Sequence, residues 1–156
     1  MKAIILAGGR GKRLRPITDK IPKPLIPINK KPLIERTIKY LKKYGITEII
    51  ISTGYKSQLI EKFLKQKKNF GCEIIFSIEK TPLGTGGAIK KAIKHIDEDS
   101  FLVLNGDIVT NIDLRKIMKK ENTIAANELK TKFGTMDIRG NKILKFNEKK
   151  DVTNVW

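Results

Sequence analysis

A chain of 156 residues with 40% apolar content is long enough for one domain with a real core and is not composed like a disordered segment. It holds no apolar run near the ~20 residues that span a bilayer, and Met1-Lys2 leads straight into an apolar strand rather than a secretory leader. The lone Cys72 leaves no partner for an internal disulfide and fits a reducing cytoplasm, while the net charge of +17 raises the question of nucleic-acid binding.

In chain order, Lys2-Ala3-Ile4-Ile5-Leu6 predicts a buried strand. It runs into Ala7-Gly8-Gly9-Arg10-Gly11-Lys12-Arg13-Leu14-Arg15-Pro16, where three glycines meet four cations. Pro22-Lys23-Pro24 is expected to be extended, because each proline biases its predecessor away from helix. Pro32 opens a helix over 33–44 that Gly45 ends. Residues 48–52 form a second strand, Ser57 is placed to cap a helix carrying Leu59, Ile60, Phe63 and Leu64, and 73–77 form a third strand. A second glycine-rich run, Gly84-Thr85-Gly86-Gly87, precedes a helix with Ala88, Ile89, Ala92, Ile93 and Ile96. Phe101 to Leu104 form a fourth strand ending at Asn105-Gly106-Asp107. Asp113 caps a short helix to Met118, residues 123–127 read as a strand, and a hairpin runs from Thr135 to Phe146 about Arg139-Gly140-Asn141. The alternation predicts an α/β fold: a Rossmann-like, mainly parallel sheet flanked by helices, with a C-terminal β-hairpin region. Residues 1–156 are expected to form a single domain, dividing near residue 110.

The charge does not describe a nucleic-acid reader. Lysines are spread over clusters at 39–43, 62–68, 116–120 and 145–150, mostly on expected helix faces. Aromatics are sparse, and neither an RNA-binding sheet motif nor a helix-turn-helix signature is present. His95, the single histidine, stands near a helix C-terminus, where a cation favours the dipole.

Glycine allows close backbone approach and positive φ, and successive bare N–H groups make an anion-binding concavity. The loop after the first strand is therefore read as a polyphosphate grip rather than a basic surface turn. It is neither a P-loop, lacking Gly-Lys-Ser/Thr, nor the dinucleotide fingerprint, whose third glycine is Leu14 here. In an α/β sheet, ligands bind beyond the carboxyl ends of the strands. Asp107 ends the fourth strand, as a hard oxygen ligand for Mg²⁺ or as a turn aspartate. Lys23, fixed between prolines, is aimed at a phosphate or is an ordinary loop lysine. Together these residues point to a nucleoside triphosphate with a divalent metal.

The ordered motifs resemble the sugar-1-phosphate nucleotidylyltransferases, the NDP-sugar pyrophosphorylases, over the whole chain. They are Leu6 to Pro16 with Pro22 to Pro24, Pro82 to Ala88, Asn105 to Asp107, and Phe133-Gly134 with Phe146-Asn147-Glu148-Lys149-Lys150. The run from Ser77 to Ala88 is similar to that of mannose- and heptose-1-phosphate guanylyltransferases. The resemblance implies that Leu6, Ala7, Gly8 and Gly9 border the nucleoside and that Gly11 and Arg13 hold the triphosphate. It implies that Lys23 meets the transferring phosphate, Gly84 and Thr85 flank the base, Asp107 binds Mg²⁺, and Gly134, Glu148 and Lys149 face the sugar phosphate. Arg13, Lys23 and Asp107 then form the catalytic set.

Where the uridylyl and thymidylyl branches carry Gln, this chain has Glu79. An ionised carboxylate only accepts hydrogen bonds, and guanine offers it two adjacent donors. GTP is therefore expected, unless Glu79 faces solvent. The expected reaction joins GTP and a sugar 1-phosphate to give an NDP-sugar and pyrophosphate. Uridylyl or thymidylyl transfer, a non-catalytic nucleotide-binding module and a basic RNA-binding domain are the competing readings.

The chain departs from the family pattern at Lys150, where proline is usual, and at Trp156, before the Asn-Ala-Gly segment and second metal-binding aspartate of longer members. A sheet lacking partner elements exposes an edge and an apolar face, so a homo-oligomer is expected.

Overall fold

The computed structural model describes residues 1–120, 122–126 and 135–147. It divides into two compact units, Met1–Met118 and Lys119–Trp156.

The first unit opens with strand β1 (Lys2–Ala7), helix α1 (Ile17–Lys20), a small ribbon of β2 (Pro27–Ile28) and β3 (Lys31–Pro32), and helix α2 (Leu33–Lys43). Strand β4 (Glu48–Thr53), helix α3 (Ser57–Gln66), strand β5 (Glu73–Ile78), helix α4 (Gly84–Ala92), strand β6 (Phe101–Asn105) and helix α5 (Leu114–Met118) follow. The four long strands form one parallel sheet in the order β5-β4-β1-β6. The chain steps outward from β1 through β4 to β5, then returns to the other side of β1. That reversal is the switch point at which open α/β sheets leave a ligand crevice.

Side chains alternate across the sheet and fill two layers. Ala3, Ile5, Ala7, Ile49 and Ile51 pack with Ile34, Ile38 and Leu41 of α2 and Ile60 and Leu64 of α3. Ile4 and Ile50 face the other way, against Ala92 of α4 with Ile89, Ile75 and Leu6. Each buried isoleucine contributes roughly 1.5–3 kcal/mol of transfer free energy. Gly45, at φ +79, takes the left-handed position just past α2, as its place in the sequence predicts.

Four local expectations are corrected. Ser57 does not cap α3: it is the first helical residue, buried, and the preceding Lys56 takes the cap position with left-handed backbone and no side-chain cap bond. Lys23 is not extended. Pro22 is, but Lys23–Leu25 form a 3₁₀ turn closed by Leu25 and Ile26 N–H bonds to the Pro22 and Lys23 carbonyls. The fourth helix ends at Ala92, and Ile93–His95 tighten into a 3₁₀ turn. Residues 123–126 form no strand, and Ile124 is 89% exposed; Asn127, the last residue of that expected strand, lies outside the described residues. Asp113 does cap α5, its Oδ1 accepting from the Arg115 N–H at 3.1 Å.

In the second unit, β7 (Thr135–Arg139) and β8 (Lys142–Asn147) pair antiparallel about Gly140-Asn141, with Gly140 at φ +59. Arg139, expected in the turn, is the last residue of β7. Among the described residues no helix is long and apolar enough to cross a membrane.

Candidate active site

The sheet register sets the site. Leu6 lies beside Asn105 of β6 on one flank and Ser52 of β4 on the other, and Ser52 lies beside Ser77 of β5. The carboxyl ends of the four strands therefore finish level, and the loops that leave them share one rim.

A cleft of about 300 Å³ opens there. Leu6, Ala7, Gly8, Gly9, Lys23, Glu79, Gly84, Thr85 and Asp107 are among the residues that line it. A neighbouring cavity of about 580 Å³ is lined by Gly11, Lys12 and Arg13 and shares Gly9, Lys23 and Asp107 with the first. Residues predicted from four separate stretches of sequence thus border two adjoining spaces. Gly134, Glu148 and Lys149 lie outside the described residues.

The glycine loop is held from below. Gly11 sits in the left-handed region at φ +63, and a side chain there would come within 2.9 Å of Thr18 Cγ2. The Thr18 hydroxyl, fully buried, donates to the Gly11 carbonyl at 3.1 Å. Tyr55, just past β4, donates through its hydroxyl to the Thr18 carbonyl at 3.1 Å, and the Arg10 guanidinium lies over the Tyr55 ring. Lys12 and Arg13 are exposed on the cavity side of this anchored turn.

Gly106 is buried directly against β1. Its N–H donates to the Leu6 carbonyl at 2.8 Å, and a Cβ there would stand 2.9 Å from that same oxygen. The next residue, Asp107, lines both cavities. Its Oδ2 accepts from Lys23 Nζ.

Glu79 does not face solvent. It is half-buried, its N–H bonds the Thr53 carbonyl at 2.7 Å, and its carboxylate turns over Gly8. Oε1 accepts from the Ser52 hydroxyl at 2.9 Å and Oε2 from the Leu83 N–H at 3.0 Å. Gly8 leaves the room: a Cβ there would meet Glu79 Oε1 at 2.8 Å.

The divalent metal implied by the sequence has a donor set of the right hardness. Asp107 offers an accessible carboxylate at the junction of the two cavities. No group of three or more His, Cys, Asp or Glu residues gathers among the described residues; Asp107 is a hard oxygen donor of the kind a divalent ion such as Mg²⁺ would take together with phosphate and water oxygens.

Sequence reading missed Ser52, Thr18 and Tyr55, which touch the site residues from behind. The one signal was Ser52 itself, a polar residue closing the apolar run Ile49-Ile50-Ile51.

Comparison with known proteins finds relatives over nearly the whole chain. A family model described as nucleotidyl transferase matches residues 2–154. The D-glycero-alpha-D-manno-heptose 1-phosphate guanylyltransferase of Aneurinibacillus thermoaerophilus is 42% identical, over 96% of this chain and 68% of its own length. The enzyme of the same name from Campylobacter jejuni is 43% identical over 96% of this chain and 69% of its own. The crystal structure of HddC from Yersinia pseudotuberculosis complexed with GMP-PN superposes with a TM-score of 0.75 at 35% identity, covering 95% of this chain and 69% of that one. The glycine-cation loop, the parallel sheet with its crevice and these relatives agree: the chain belongs to the nucleotidyl transferase family.

Proposed function

We propose that this chain binds GTP in the cleft at the carboxyl end of its sheet and transfers the guanylyl group to a sugar 1-phosphate, releasing pyrophosphate. The observation that carries the reading is the position of the Glu79 carboxylate, inside the same cleft as the glycine loop, Lys23 and Asp107. Two guanine donors, N1–H and the 2-amino group, match an acceptor-only carboxylate, whereas uracil and thymine offer one donor flanked by carbonyl oxygens. The names of the guanylyltransferase relatives and the GMP-PN complex of the structural relative support the same base.

In this reading Leu6 to Gly9 pack against the nucleoside, and Gly84 and Thr85 flank the base. A phosphate oxygen of the sugar 1-phosphate attacks the α-phosphorus in line and the bond to the β-phosphate oxygen breaks. No side-chain nucleophile is needed, so the protein contributes position and positive charge. Arg13 and the amides around Gly11 hold the departing pyrophosphate. Lys23 neutralises the transferring phosphoryl group. Asp107 holds Mg²⁺, which supplies further charge neutralisation on the phosphates when bound. Residues 1–110 form the nucleotide half, and 111–156, with Gly134, Glu148 and Lys149, begin the sugar-phosphate half. The setting is cytoplasmic, where nucleoside triphosphates and Mg²⁺ are supplied and Cys72, buried and free, stays reduced.

Pyrophosphate release with GTP, UTP, dTTP and ATP against a panel of sugar 1-phosphates tests the reading, alongside direct nucleotide titration. GTP should be preferred in both. Equal or tighter UTP binding overturns the base assignment. GTP binding with no release across the panel leaves a nucleotide-binding module without turnover.

A further inference from the structure

We propose that Ser52 is a positioning residue for base selection, acting through Glu79. The inference rests on the guanine reading of Glu79 and extends it to a side chain that does not line the cleft.

Ser52 is fully buried at the end of β4. Its hydroxyl donates to Glu79 Oε1 at 2.9 Å, and the Leu83 N–H donates to Oε2 at 3.0 Å. The carboxylate is thus held at both oxygens, by one donor from the sheet and one from the loop that leads into α4. Each oxygen keeps lone-pair capacity on its outward side. Both outward positions are acceptors at once, the pattern that guanine matches and that an amide side chain cannot present. Gly8 permits this seat by carrying no Cβ, and the Glu79 backbone is pinned by its bond to Thr53.

The geometry also assigns Ser52 an electrostatic part. Leu83 can only donate, because its group is a backbone N–H. The Ser52 hydroxyl can donate or accept. With glutamate at 79 it donates, as the Leu83 N–H does. With glutamine at 79 the amide oxygen goes to Leu83 and the amide nitrogen to Ser52, so the hydroxyl must turn to accept. Ser52 therefore adapts to either residue, and its removal costs most where the carboxylate must be held flat against the base.

The test uses the whole chain and calorimetric titration with GTP and UTP, for the wild type, Ser52→Ala, Ser52→Cys, Glu79→Gln and the double variant Ser52→Ala/Glu79→Gln. Ser52→Cys keeps a donor that is weaker and slightly larger, and thermal melting checks that each variant is folded. The expected result is a loss of about tenfold in the GTP-over-UTP affinity ratio for Ser52→Ala, a smaller loss for Ser52→Cys, and no further loss when Ser52→Ala is added to Glu79→Gln. A merely structural role would weaken both nucleotides alike and leave the ratio unchanged, which overturns the inference. Additive losses in the double variant overturn it as well. Absence of a GTP preference in the wild type, or its survival in Glu79→Gln, instead overturns the base reading and this inference with it.

Discussion

Lys23 Nζ donates to Asp107 Oδ2 across 84 residues of sequence, joining the turn after Pro22 to the end of β6. The cation expected on the transferring phosphate and the carboxylate expected on the metal thus neutralise each other. Both are partly exposed, so the pair itself adds little to stability. In the proposed reading, a bound triphosphate would compete for Lys23 and a divalent ion would compete for Asp107.

On the proposed reading, Lys23→Ala and Asp107→Asn should each lower turnover by about 10²–10³-fold, the first by removing a cation from the transferring phosphate and the second by removing the carboxylate that would hold the metal. Melting temperatures should stay near the wild-type value. Pyrophosphate release at saturating GTP, with a Mg²⁺ titration for Asp107→Asn, checks this. Wild-type turnover in either variant rejects the assigned role.

Arg13 is exposed on the cavity side of the glycine loop. Arg13→Ala should reduce turnover by about 10²-fold or more while leaving the unfolding curve unchanged. The change should be larger in kcat than in binding of a nucleoside monophosphate, which lacks the departing pyrophosphate.

Two glycines fix the frame of the site for different reasons. Gly11→Ala forces a left-handed residue to carry a Cβ against Thr18, a cost of about 1–2 kcal/mol with weakened triphosphate binding. Gly106→Ala drives a Cβ into the Leu6 carbonyl and should cost about 1–3 kcal/mol, since backbone cannot yield as a side-chain tip can. Urea unfolding measures both, and neutrality at Gly106 would contradict the close approach of β6 to β1.

At the amino-terminal end of the sheet, Lys2 Nζ donates to Asp97 Oδ1 at 2.6 Å. This bond chiefly holds the Asp97 carboxyl below its ordinary value of 3.8 and raises Lys2 above 10.5. A depressed carboxyl contributes stability above its unfolded value and loses it as pH falls through the folded one. Urea midpoints for wild type and Asp97→Asn should therefore differ near neutrality and converge as the pH is taken well below 3.8. Constant separation down to that pH would reject the linkage.

Among the described residues β6 is an edge strand of the parallel sheet, and its Val103 is 40% exposed. An apolar open edge invites pairing with another chain. We expect concentration-dependent self-association in sedimentation velocity, weakened by Val103→Lys. A monodisperse monomer at high concentration counts against it.

The sheet was legible because its strands are short apolar runs divided by glycine and proline punctuation. Ile49-Ile50-Ile51 admits little but a strand buried on both faces. Backbone detail was less legible. Lys68, Asn69 and Phe70 take consecutive left-handed conformations, which Asn69 favours but Lys68 and Phe70 do not announce. Lys23 enters a 3₁₀ turn although proline follows it.

The sequence by itself determined the chemistry of the parts: a glycine loop rich in cations, a carboxylate at a strand end, and an acidic residue ahead of a second glycine run. These are properties of residue type and local spacing, carried by conformational freedom and charge. Only the tertiary structure decided what each part meets. The strand order β5-β4-β1-β6 brings Glu79 over Gly8 and sets Ser52 behind it, and it pairs Lys23 with Asp107. Those relations depend on register between strands far apart in the chain, which is fixed by packing of both sheet faces and not by any local pattern.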